Sequence, residues 1–421
     1  MKSVGAGAAG RVEVQDQSAW FTQLARRLVL GKLKSLERGH LVVEDGDEVF
    51  EFGQPERDAD VCARICVHDD STYTQVLFNG TIGSGEAYMQ GAWSSPNLVD
   101  VIRLMVNNMA MLENMDSRWS FLQKMALRVL HRLNANTRSG SRKNIAAHYD
   151  LGNDFFKLFL DSTMLYSSAI FPARDASLEA ASLNKLETIC RKLQLSETDH
   201  LLEIGTGWGG MAVYAAKNYG CRVTTTTISR EQYEHAREWV EREGLEDKVT
   251  LLLKDYRDLE GQFDKLVSIE MIEAVGHEYY RDFFSRCSRL LKEDGLMVMQ
   301  AITIQDQRYD RYRKEVDFIQ RYIFPGGCLP SNRVVADHIA DSTDMQIVGL
   351  EDITFHYART LNAWRQAFFA RLDEVKRQGF DSRFIRMWDF YLCYCEGGFL
   401  ERVISTAQFI FAKPRCKALP A

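Results

Sequence analysis

Residues 201–211 read LLEIGTGWGGM, with glycines at 205, 207, 209 and 210. Such spacing brings backbone N–H groups against a ligand where a Cβ would block its approach. Glu203 stands two residues before Gly205, at the end of an apolar, strand-like run. A carboxylate there faces a cationic group well and repels a pyrophosphate. A dinucleotide site wants an Asp or Glu about 20 residues on, for the ribose hydroxyls, but the next strand ends TTTTISREQ, with no acid before Glu231. Asp255, followed by Tyr256, ends the strand-like VTLLLKD and is placed to meet an adenine amino group. Gly205, Gly207 and Gly210 still fit the G-x-G-x-x-G of a dinucleotide loop, as Glu203, Gly205, Gly207 and Gly209 fit an E-x-G-x-G-x-G loop. The neighbours favour S-adenosylmethionine over a nicotinamide or flavin, and three glycines are a costly choice for a turn that holds nothing.

A second place for chemistry is MIEAVGH, where Glu273 sits in an apolar stretch. Its plain reading is a carboxylate capping a helix start; its functional reading is a group of an active site. Tyr357 alone reads as an ordinary half-buried tyrosine. His277 reads slightly better as a core histidine than as a pocket residue, and Phe155, Phe156 and Phe159 as helix core rather than the wall of a tunnel.

The elements that must position these residues alternate. HLLEIG, CRVTTTTIS, VTLLLKD, FDKLVSIE and GLMVMQAITI read as strands; WGGMAVYAAKNYG and REQYEHAREWVEREG read as helices closed by Gly220 and Gly244. The rhythm predicts an α/β fold with a mostly parallel sheet and helices on both faces. Beyond Arg308, polar helical pieces predict a cap, and ISTAQFIFAK a last antiparallel strand. Before this block, HLVVEDGDEVFEFG carries an Asp-Gly turn signal between two strands, AYMQGAW reads as strand-like, and NLVDVIRLMVNNMAML as a helix. The expected division is a disordered 1–17, a small α+β domain over 18–115, a basic helical connector over 116–147, a catalytic domain over 148–414 and a tail over 415–421.

The chain has 421 residues, 46% hydrophobic and 26% charged, an ordinary globular composition with room for two or three domains. A net charge of -6 argues against nucleic acid as a partner. The start shows no apolar signal segment and no run is long enough to span a bilayer. The nine cysteines form no CxxC pair or zinc spacing, so reduced thiols of a cytoplasmic protein and no metal are expected. Against this acidic background residues 117–149 hold no Asp or Glu. There Lys124, Arg128 and Arg132 share one helical face, with Trp119 and Leu122 largely on another. Such a helix suits an anionic membrane surface or, more plainly, a linker with a solvated basic face.

Five motifs in order settle on one resemblance: NIAAHYDLGNDFFKLFLDSTMLYSSAIF at 144–171, SIEMIEAVGHEYYRDFF at 268–284, AITI at 301–304, IFPGGCLPS at 323–331 and FHYARTLNAW at 355–364. Over roughly residues 140–414 the chain resembles the cyclopropane-fatty-acid synthases and mycolic-acid cyclopropane synthases. Through GSGEAYMQGAW its first block looks like the lipid-carrier-like N-terminal domain of the full-length bacterial enzymes. The resemblance implies a class I methyltransferase sheet with a helical cap. It implies methyl transfer from S-adenosylmethionine to the double bond of an unsaturated phospholipid acyl chain, with a bound bicarbonate removing a proton as a cyclopropane closes. Carried over by motif, the bicarbonate set falls on Glu273, Tyr357, Gln300, Ser168 and Ile302. The cofactor set falls on Tyr166 and Ser167, Gly205 and Gly207, and Thr227, Ile228 and Gln232, with His148 and Tyr149 closing a lid. Ser168 stands where the family shows Cys, and Gln300 where it often shows His. A glutamine amide donates a hydrogen bond but carries no proton. That departure bears on ring closure more than on methyl transfer and leaves a methylene- or methyl-branched chain as the alternative product. A lipid-binding protein without turnover, and methylation of a small polar nucleophile, are the readings from other classes. An acyl chain held in a bilayer also implies peripheral contact with the inner face of the cell membrane; a homodimer is a further expectation.

Overall fold

The structure, a computed structural model, describes residues 9–54, 61–113 and 151–417. The chain forms two compact units, the first from Met1–Ala126 with Phe380–Gly397 and the second from Leu127–Gly379 with Gly398–Ala421.

In the first unit β1 (His40–Asp45) and β2 (Glu48–Gly53) form the hairpin that the Asp-Gly signal predicts, with Asp45 opposite Glu48 and Gly46 at φ +60°. β3 (Cys62–Val67) runs parallel to β1, and β4 (Trp93–Ser94) closes the order β2-β1-β3-β4. Residues 87–90, expected as strand, instead end the helix Ser71–Gln90, which stops at Gly91 in a left-handed conformation. Ala87, Tyr88 and Met89 are all buried, and a short, wholly apolar run looks the same in a buried strand and a buried helix. The sequence division left residues 380–397 with the catalytic part; here most of the helix Ser382–Leu400 lies in the first unit. Tyr88 Oη donates to Asp389 at 2.6 Å, and Arg386 lies over the Tyr88 ring.

The second unit is built on a seven-stranded sheet in the order β10-β11-β9-β8-β5-β6-β7. β5 (His200–Ile204), β6 (Arg222–Thr227), β7 (Val249–Leu253), β8 (Phe263–Ile269) and β9 (Leu291–Ile304) are parallel. β11 (Ile404–Ala412) enters antiparallel to β9, and β10 (Gln346–Asp352) pairs antiparallel to it at the edge. β10 went unread in the sequence because it is largely exposed and shows no alternation. Side chains alternate across the sheet, so Leu202, Met297 and Phe409 pack with Phe283 and Phe284 on one face, whereas Leu201, Val223 and Val298 pack with Ile189 and Met211 on the other. This burial on both faces explains the continuous apolar runs of the parallel strands. β5 has β6 on one side and β8 on the other, so the chain reverses direction of winding there, and the carboxyl ends of β5 and β8 open onto the crevice where such sheets bind ligands.

Candidate active site

The glycine loop leaves β5 with Gly205 at φ +104°, Gly207 at +53° and Gly209 at +101°. Gly209 is needed for packing, since a Cβ there would meet Ala236 at 3.0 Å. Gly207 is different: a Cβ would meet no atom within 4 Å, so its backbone faces open space. Beneath the loop Glu203 is buried and accepts from the Thr225 hydroxyl at 2.6 Å, which in turn meets the Thr206 hydroxyl. Burial, only partly offset by that bond, pushes its carboxyl up to about 8. At the end of β6 the Thr227 hydroxyl donates to Gln232 Oε1 at 2.9 Å, and Ser229 caps the next helix by accepting from the Gln232 N–H; Ile228 lies between them. Asp255 was expected to meet an adenine; here its two oxygens accept from the Arg257 guanidinium at 2.9 and 2.7 Å, and Tyr256 packs edge-on to Phe283. Tyr166 lies among rings, with Phe156, Phe159 and Trp364 at centroid distances of 5.3, 6.2 and 5.1 Å. A loop facing open space and an aromatic wall beside it fit S-adenosylmethionine, whose sulfonium is cationic.

The second cluster lies at the end of β8. Ser168, Gln300 and Tyr357, drawn from three separate segments, converge as expected, but onto a residue that sequence reasoning passed over. Glu270 Oε1 accepts from the Ser168 backbone N–H at 2.8 Å and from Gln300 Nε2 at 2.7 Å, and Glu270 Oε2 accepts from Tyr357 Oη at 2.7 Å. Glu273 takes the remaining group: its Oε1 accepts from the Ile302 N–H at 2.5 Å. Its Oε2 is buried with no hydrogen-bond partner among the described residues. The signal for Glu270 was the first of the two glutamates in SIEMIE; its backbone, at φ +49°, could not be read from the sequence.

A cation lies nearby. Lys185, wholly buried, donates to Ser167 Oγ at 2.6 Å. Burial lowers its ammonium to about 8, against the pull of Glu270 and Asp161. Burial likewise raises Glu270, opposed by Lys185 and by its three hydrogen bonds. Glu273 is pushed up to about 8 by burial and then by the charge of Glu270. With one donor against three and no lysine opposing its burial, Glu273 is the member that holds a proton near neutral pH, whereas the three donors and Lys185 all favour the charged form of Glu270. Bicarbonate does not fit this arrangement: three of its five expected partners already donate to Glu270, and an anion placed beside that carboxylate would be repelled.

Phe155, Phe156 and Phe159 are fully buried, but only the first two stand in a helix, Asn153–Phe156, and Phe156 and Phe159 also flank the Tyr166 ring; His277 is half-buried with burial pulling its ring toward the neutral form. His148, Tyr149 and the basic face of Lys124, Arg128 and Arg132 lie outside the described residues. No helix among the described residues is long and apolar enough to cross a membrane.

Comparison with known proteins bears on this geometry. The family described as mycolic acid cyclopropane synthetase matches residues 136–409. The chain is 38% identical to a tuberculostearic acid methyltransferase of Mycobacterium tuberculosis (strain ATCC 25618 / H37Rv), over 81% of each protein. It is 39% identical to the cyclopropane-fatty-acyl-phospholipid synthase of Escherichia coli (strain K12), over 83% of this chain and 88% of the other. Among solved structures it resembles a mycolic acid cyclopropane synthase complexed with SAH and CTAB, with 32% identity and a TM-score of 0.61 over 65% of this chain and 98% of that one.

Proposed function

Since the chain belongs to the mycolic acid cyclopropane synthetase family and is an S-adenosylmethionine-dependent methyltransferase of lipids, we propose that it methylates the double bond of unsaturated phospholipid acyl chains, with Glu270 as the base. The cofactor, when bound, supplies an electrophilic methyl group. Gly205, Gly207, Thr227 and Gln232 would hold it, with Glu203 below and Tyr166 and Ser167 near its sulfonium. Transfer of that methyl to the alkene, with the π pair forming the new C–C bond and the thioether leaving, would place positive charge on a chain carbon. The ring of Tyr166 and the carboxylate of Glu270 stabilise that charge. A proton must then leave, and Glu270 is positioned to take it: half-buried, and aimed by the Ser168 N–H, Gln300 and Tyr357, all of which favour its charged form. This held carboxylate is the observation that carries the reading, and it does the work the family resemblance assigned to bicarbonate.

Loss of the proton from the new methyl closes a cyclopropane, the product we put first. Loss from a neighbouring chain carbon gives a methylene branch. The second product is favoured by one specific feature, Gln300 with Glu270 where a histidine and a free anion were expected. Both lipids gain one CH₂. The test is incubation with S-adenosylmethionine and oleoyl phospholipid vesicles, mass spectrometry of the fatty esters, then proton NMR. High-field ring protons mean cyclopropane and olefinic methylene protons mean branching. No mass gain, with the cofactor bound, overturns the proposal in favour of a lipid-binding protein. Turnover only of a soluble polar acceptor would overturn it in favour of small-molecule methylation. The substrate also implies contact with a membrane surface, for which the basic connector is the candidate; flotation with anionic vesicles of a Lys124/Arg128/Arg132→Ala variant tests it, and unchanged binding removes the connector from this role.

A further inference from the structure

Behind Glu270 a row of buried polar side chains runs across the sheet. Gln300 and Gln408 are direct partners on antiparallel β9 and β11, and both are fully buried. Gln408 Nε2 donates to Gln300 Oε1 at 2.9 Å. Lys192, at the end of the helix Leu178–Leu193 and nine-tenths buried, donates to Gln408 Oε1 at 2.6 Å and also pairs with the exposed Glu351. The row therefore reads Lys192, Gln408, Gln300, Glu270, each donating to the next.

An amide has a donor end and an acceptor end, so a pair of linked glutamines has two directions. In the direction seen, every contact joins a donor to an acceptor. In the reverse direction Gln300 would turn its carbonyl toward the Glu270 carboxylate, and Gln408 would turn its NH₂ toward Lys192. Lysine has only donors and cannot accept. Reversal would thus leave mismatched groups at both ends of a dry row, where an unmet polar group is costly. Neither glutamine can turn alone, because Gln408 Nε2 meets Gln300 Oε1, and turning either one would set two donors or two acceptors face to face.

We propose that Lys192 is a positioning residue: it holds the direction of the Gln408–Gln300 pair from one end, as Glu270 and the Ser168 carbonyl hold it from the other, so that Gln300 presents N–H to Glu270 and keeps that carboxylate aimed. The inference rests on the reading of Glu270 as the base. Lys192 reaches Glu270 only through two neutral amides. The other ionisable groups facing Glu270 are Lys185 from the same helix, Tyr357 from the helix Thr354–Ala370, and Glu273 from its own turn. These stay in place when Lys192 changes, so the effect of the row can be read separately.

The test is the pH dependence of kcat for Lys192→Met, Lys192→Arg, Gln408→Met and Glu270→Gln, with cofactor affinity by calorimetry. With Lys192→Met, only Glu270 and the Ser168 carbonyl still hold the direction of the row, Gln408 can turn its carbonyl toward Gln300, and the Gln300 hydrogen bond to the charged form of Glu270 weakens. The acid limb of kcat should move up by about one pH unit, while KM for the lipid and cofactor affinity hold. Turnover should recover at higher pH, and Lys192→Arg, also donor-only, should restore the wild-type limb. Gln408→Met, nearly isosteric, should give the same upward shift by cutting the row, and decides the matter should Lys192→Met not fold. An acid limb unmoved in these variants, or a kcat lowered equally at every pH, overturns the inference, as does failure of Lys192→Arg to restore the limb. Glu270→Gln separates the two claims. If it keeps wild-type turnover, the base reading fails; if it is inactive while the limb stays fixed in the other variants, only the role of Lys192 fails.

Discussion

Two neighbouring strands, β5 and β8, end in the same unusual way. The residue just after each has a positive φ, +104° at Gly205 and +49° at Glu270. After β5 the sequence supplies glycine, the residue such a backbone favours. After β8 it supplies a glutamate, which pays a steric cost of roughly 1 kcal/mol to stand there. The first turn is empty of side chain so that a ligand and Met271 can come close; a Cβ on Gly205 would lie 3.2 Å from the Met271 side chain. The second turn keeps its side chain against the strain and aims it at three donors. A strained non-glycine residue is informative in a way that a glycine is not: the side chain must repay the conformation through what it does.

The carboxylates below and beyond these turns sharpen the contrast. Glu203 and Glu273 each have one hydrogen-bond donor, and both are raised to about 8. Glu270 has three, with Lys185 opposing its burial. The site thus sets two carboxyls with one donor each beside one held by three donors and a nearby lysine.

The largest effect that would break this contrast is on turnover. Glu270→Gln should lower kcat by about 10²–10⁴-fold, the span of a lost general base, with cofactor affinity held in calorimetry. Wild-type turnover would remove Glu270 from the chemistry. Next is a dependence of stability on pH. Glu273 titrates near 8 when folded and near 4.5 in the unfolded chain. The folded state therefore binds the extra proton, and the stability this group contributes is present below about 4.5 and lost as pH rises through about 8. Wild type should lose a few kcal/mol more than Glu273→Gln across that window, measured by urea denaturation. Equal slopes would mean that Glu273 is not held protonated. The smallest effect concerns the glycine turn. Gly205→Ala should cost roughly 1–2 kcal/mol of stability through its φ and the approach of Met271, and should weaken cofactor binding with little change in kcat at saturation. A stability equal to wild type would show the turn to be relaxed about its side chain.

Much of the second unit was legible in the sequence. Apolar runs and capping glycines such as Gly220 and Gly244 mark β5 to β9 and their helices, because strands buried on both faces and left-handed helix ends leave local signs. The motif match also named Ser168, Gln300, Tyr357, Ile302 and Glu273 as neighbours, and the structure brings them together. What they surround was hidden, because φ at Glu270 is a tertiary outcome and the sequence shows only one more acid in SIEMIE. The Lys192–Gln408–Gln300 row was hidden for a similar reason: the register of β11 on β9, not any spacing along the chain, makes the glutamines partners. The placing of residues 380–397 in the first unit rests on contacts such as Tyr88 with Asp389, far apart in sequence.

The most direct test is of the base itself. Wild-type enzyme would be assayed on oleoyl phospholipid vesicles with S-adenosylmethionine, in buffer freed of carbon dioxide and then with bicarbonate restored. A side-chain carboxylate in the anion position predicts the same turnover in both. A rate that collapses without bicarbonate and returns with it would contradict the assignment of Glu270.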